Sequence, residues 1–149
     1  MMSSRCSRQS FLESAPRAVG ALATEVLDEV DAEAANAPGG PEGFAVLLEL
    51  LVASMVRSGA ILELLDEDPS SAERPGTLLY GLVQRLLEMV RTRFEEAEAA
   101  GVLRPGASVD DVMLVLGMTK GVIKGTLPAR RDAAAARALE LALHGLFAR

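Results

Sequence analysis

The sequence predicts an all-α fold, a single helical bundle, and three observations carry that prediction. Half of the residues are hydrophobic, yet aromatics reach only 3% and Trp is absent; a supply of Ala, Leu and Val suits helices packed on helices through small contacts. Apolar residues between Thr77 and Ala100 recur every three or four positions, the period of one helix face rather than the alternation of a strand. Breaks between such segments fall at Gly, Pro and Ser residues, where helices stop and start. The 149 residues fit one domain, expected over 10–149 after a disordered or residual linker at 1–9.

In chain order, the first helix is expected from Ser10 or Ser14 to Asn36, with Pro16 tolerable where the regular helix begins at Ala15 or kinks there. "NAPGGPEG", Asn36 to Gly43, is a loop, and Pro41 suits a first helical position. The second helix, Pro41 to Ser58, is apolar almost all round, interrupted by Glu49, Ser54, Arg57 and Ser58; a helix of that kind is surrounded by others. "AILELLDED", Ala60 to Asp68, reads as a short amphipathic helix before the solvent-facing loop "PSSAERPG".

The third long helix, Thr77 to Ala100, sets Leu79, Leu82, Val83, Leu86, Met89, Val90 and Phe94 on one face. Gln84, Arg85, Glu88, Arg91, Thr92 and Glu95 occupy the other. Gly101 is the residue type best suited to a left-handed C-terminal position, and Pro105 with Gly106 prevents continuation. Ser108, with Asp111 three residues on, caps the fourth helix, Val109 to Gly125. The fifth, Arg130 to Phe147, follows "TLP".

The last two helices carry more apolar surface than one core needs. A helix on one side of a bundle requires a stripe a little over 100° wide, whereas Leu114, Met118, Val122, Val115, Val112, Ile123 and Leu116 cover roughly 200° of the fourth helix. Gly117, Gly121 and Gly125 recur every four positions, and Ala134, Ala138, Ala142 and Gly145 form a shallow stripe on the fifth helix. Each mid-helix Gly costs about 0.5–1 kcal/mol relative to Ala, which close packing or ligand access would offset. The expectation is a homodimer in which these two helices from each subunit form an intermolecular four-helix bundle around a two-fold axis. The interface candidates are Val112, Val115, Leu116, Met118, Thr119, Val122, Ile123, Ala134, Ala138, Leu141, Ala142 and Gly145. The competing assignment is contact within one chain.

A formal charge of -6 and a pI near 4.8 oppose a broad electrostatic grip on phosphate backbones, so no direct nucleic-acid contact is expected of this chain. The longest apolar run, Phe44 to Val56, contains Glu49 and is shorter than the roughly 20 residues that cross a bilayer, so no membrane partner is expected. "MMSSRCSRQS" lacks an apolar region of the secretory type. Cys6 is the single cysteine, so no intrachain disulfide forms, which fits a cytoplasmic location.

The segment "FEEAEAAGVLRPGASVDDVMLVLGMTKGVI", with the closing helix "AARALELALHGLFA", resembles the C-terminal regulatory domain of TetR-family transcriptional regulators. The matching positions are Ala97, Ala100, Gly101, Leu103, Arg104, Pro105, Ser108, Asp111, Leu143, Gly145 and Leu146. Gly106 stands where the family commonly has an acidic residue, a departure expected to change little. "SRQSFLES", Ser7 to Ser14, resembles the opening of the family's fourth helix, just after its DNA-binding helix-turn-helix. By that alignment the chain begins where the helix-turn-helix would end. Three origins stay open: a start placed downstream of the true one, a trimmed chain, or loss of the head.

The resemblance implies a pocket for a small, mainly hydrophobic effector inside the bundle, whose occupancy shifts the DNA-binding heads. Its candidate lining is Phe44, Leu48, Leu51, Met55, Tyr80, Leu86, Met89 and Met113, the methionines being adaptable and Tyr80 offering one hydroxyl. Ordinary core packing is the alternative for each. A second functional reading is a stand-alone helical module that heterodimerises with a full-length regulator. Catalytic chemistry is not expected: His144 is the sole histidine, without Cys or acidic neighbours at metal spacing. Glu95, Glu96, Glu98 and Asp66 to Asp68 read as solvated faces and turns. No cofactor and no metal are expected.

Overall fold

The computed structural model describes residues 20–59, Leu62 and residues 78–147. The expected linker 1–9, the start of the first helix, Cys6, the short helix from Ala60 to Asp68 apart from Leu62, and the loop after it lie outside those residues. Among the described residues the chain is helical and contains no strand, as the composition and the period of the apolar residues predict. The helices are α1 (residues 20–35), α2 (Pro41–Arg57), α3 (Leu78–Ala99), α4 (Val109–Gly125) and α5 (Arg131–Leu146), the last preceded by a 3-10 turn at Pro128–Arg130.

Helix α1 buries Ala23, Leu27, Val30 and Ala34, one stripe at helical spacing, and leaves Glu25, Asp28, Glu29, Asp31 and Glu33 exposed. Its C-terminal end is met by Arg93 of α3, whose guanidinium donates to the Ala34 carbonyl of the last turn and, at 3.4 Å, to the Pro38 carbonyl in the loop beyond. A helix end has unsatisfied carbonyls, and a cation there satisfies them and complements the helix dipole. Arg85 of α3 adds an ion pair to Asp28 at 2.7 Å, solvent-exposed and therefore worth little by itself.

Helix α2 is the centre of the bundle and packs against α3, α4 and α5. Phe44, Leu47, Leu48, Leu51, Val52 and Met55 are all at most 5% exposed. Phe44 is the node: its ring meets Phe94 of α3 and Phe147 beyond α5, each edge-on with centroids 6.0 Å apart. Such aromatic pairs add about 0.5–1.5 kcal/mol beyond area burial. Buried Ser54 stays satisfied by donating to the Leu50 carbonyl at 2.7 Å. Gly43 has no room for a side chain, since a Cβ there would stand 2.1 Å from the Pro38 carbonyl oxygen.

The corner between α3 and α4 obeys its local rules. Gly101 adopts φ 72°, with its N–H on the Glu98 carbonyl and the Val102 N–H on the Ala97 carbonyl, the two bonds of a Schellman motif. Arg104 to Ala107 then form a turn closed at 3.0 Å with Gly106 at φ 84°. Pro at its second position and Gly at its third define a type II turn. The expectation that Gly106 matters little is corrected here: an acidic residue would be strained at that φ, so the glycine sets the turn. Ser108 and Asp111 form the expected reciprocal cap, with the Ser108 N–H on the Asp111 carboxylate at 2.8 Å. The corner is also tied to the chain end, because the Arg104 N–H donates to the Leu146 carbonyl at 2.8 Å beside the Leu103–Phe147 bridge.

Candidate functional site

Four helices leave a cavity of about 100 Å³ between them. Val26, Leu27 and Val30 of α1 form one wall, Leu51, Ser54 and Met55 of α2 a second, Leu82, Val83 and Leu86 of α3 a third. The fourth is Met113, Leu116, Gly117 and Lys120 of α4. Each set follows from helical spacing, which returns residues three, four and seven apart to one face. The lining is apolar except for Ser54 and Lys120. With its hydroxyl proton on Leu50, Ser54 retains acceptor capacity toward the cavity. Gly117 lines the space and is exposed, so among the described residues the cavity reaches solvent beside α4.

Of the expected pocket residues, the structure brings Leu51, Met55, Leu86 and Met113 into this wall. Phe44 and Leu48 are fully buried elsewhere, Phe44 because its ring is held between two other rings. Met89 lies in a surface groove between α1 and α3, beside Asp31, Arg85 and Arg93. Tyr80, half-buried near the start of α3, is not among the lining residues and has an interaction of its own. The contribution of α1 and that of Lys120 have no counterpart among the expected lining residues, whereas Gly117 belongs to the glycine repeat for which ligand access is one explanation. The available signal was Val26, which widens the apolar stripe of α1 beyond its core positions.

The same helix α4 has a second apolar side. Val112, Val115, Leu116, Thr119 and Ile123, all named as interface candidates, are at most 6% exposed within their own chain, and Thr119 is satisfied on the Val115 carbonyl at 2.9 Å. They face inward and present no surface for a partner. On the opposite side Leu114 is 63% and Met118 55% exposed, with Gly121 and Gly125 continuing that stripe. Helix α5 keeps Leu141 55% exposed, together with exposed Gly145 and half-buried Ala134, Ala138 and Ala142; Val122 of α4 is half-buried as well. A Cβ built at Gly117, Gly121, Gly125 or Gly145 meets no atom within 4 Å among the described residues, so contacts among those residues do not require these glycines.

His144 is exposed. Among the described residues no three of His, Cys, Asp and Glu gather as metal ligands, and no helix is long and apolar enough to cross a membrane. Compared with known proteins, the chain matches no family model, no curated protein and no solved structure.

Proposed function

We propose that this chain is the ligand-sensing and homodimerisation domain of a TetR-like transcriptional regulator, taking a small, mainly hydrophobic effector. The observation that carries the reading is the two-sidedness of α4: Met113, Leu116, Gly117 and Lys120 wall the cavity, while Leu114 and Met118 of the same helix face outward. In the proposed dimer, α4 and α5 of two copies form a four-helix bundle, and their glycines and alanines let the axes approach closely. The corner from Gly101 to Asp111, with its helix stop, Arg-Pro turn and serine cap, supports the family assignment.

Size supplies the mechanism. Sites for drug-sized ligands measure about 300–1,000 Å³, so a ligand much beyond the 100 Å³ present parts the helices to enter. Displacing α4 moves the dimer surface, and the ligand then favours one arrangement of the pair by its difference in affinity for the two. Contact with an operator would belong to a helix-turn-helix where the full-length protein carries one, in a cytoplasmic regulator; this acidic chain supplies effector binding and pairing.

The test uses Gly117→Leu, which adds a side chain at the cavity mouth where a Cβ meets no neighbour and raises helix propensity by about 0.5–1 kcal/mol. Thermal denaturation against a panel of small apolar compounds should reveal ligands that raise the melting temperature of the natural sequence, a gain that Gly117→Leu abolishes although the unliganded protein is more stable. An undiminished gain in the variant would put the ligand elsewhere.

A further inference from the structure

Resting on the cavity reading above, we infer that the effector is a small amphiphile whose apolar body fills the cavity and whose single anionic head, a carboxylate or a group like it, pairs with Lys120. Among the described residues no Asp or Glu lines the cavity, whereas a lysine does. That distribution selects against a cationic ligand and in favour of an anionic one. Ser54, the other polar side chain of the lining, has its proton on the Leu50 carbonyl; the cation that can answer a ligand charge is therefore Lys120.

Placement supports the same class. Lys120 is half-buried and sits one helical turn from exposed Gly117, at the open side of the space. A charged head can remain partly hydrated there while the tail enters among Val26, Leu51, Met55 and Leu86. A carboxylate buried without a partner would be costly, and a partner at the rim removes that cost while leaving the apolar interior to the tail. Lys120 also has an interaction of its own, and its ammonium holds three donors. The cavity volume of about 100 Å³ admits a short alkyl chain, and a longer tail parts the helices.

The experiment compares pentanoate, pentanol and pentylammonium, matched in shape and differing in charge, by amide chemical-shift titration of the intact chain and of Lys120→Met and Lys120→Gln. Pentanoate should bind about tenfold or more tightly than pentanol, the net worth of a charge-assisted hydrogen bond, and pentylammonium more weakly than either. Both variants should lose the preference for pentanoate while keeping the affinity for pentanol. Equal binding of pentanoate and pentanol to the natural sequence, or a preference that survives in the variants, overturns the assignment to Lys120 and leaves the apolar cavity standing. Binding of none of the three, with no shifts at cavity residues, overturns the cavity reading together with it.

Discussion

Helices α2 and α4 are both 17 residues long, the first apolar almost all round and the second over roughly 200°, and the bundle treats them differently. Other helices surround α2, and its large apolar side chains Phe44, Leu47, Leu48, Leu51 and Met55 are buried. Helix α4 buries Val112, Val115, Leu116 and Ile123 on one side, while Leu114 and Met118 on the other remain more than half exposed. Among the described residues nothing covers the outward side of α4. That deficit supports the proposed dimer.

Substitutions probe this contrast. Phe44→Ala removes the ring held between Phe94 and Phe147 and should cost about 3–5 kcal/mol in chemical denaturation. A smaller value would mean the α2 core collapses into the gap. Gly43→Ala should cost about 1–3 kcal/mol, because backbone rather than a flexible side chain stands against the added methyl; an unchanged midpoint would place Pro38 farther away than in the structure. Ser108→Ala removes the cap that starts α4 and should cost about 1 kcal/mol, with Ser108→Asp recovering most of it. The smallest effect on the fold comes from Leu114→Glu with Met118→Glu: at protein concentrations too low for pairing, each change should stay within about 0.5 kcal/mol of the natural sequence. A large loss there would reveal that these side chains serve their own chain.

What the sequence made legible was mostly local. The end of α3, the cap of α4 and the start of α2 fall within a residue or two of expectation because Gly101, Ser108 and Pro41 act through their own backbone and immediate neighbours. Legibility failed where the chain meets itself at a distance. Periodicity placed Val112, Val115 and Ile123 on the same broad arc as Met118, and only the packing of α2 and α5 against α4 decides which part of that arc faces inward. The wall from α1, the capping of α1 by Arg93 and the bond from Arg104 to the end of α5 likewise join residues far apart in sequence. Lys120 was invisible as a site residue for the same reason: a single lysine in a helix reads as solvated until three other helices are placed around its neighbours.

In the proposed dimer the outward side of α4 pairs two copies of this chain. Sedimentation velocity at micromolar concentration should give a species of twice the 15.7 kDa chain mass, converted by Leu114→Glu with Met118→Glu to single chains that keep their helical signal. Natural-sequence protein that sediments as a single chain, or a double substitution that leaves the dimer intact, would contradict it.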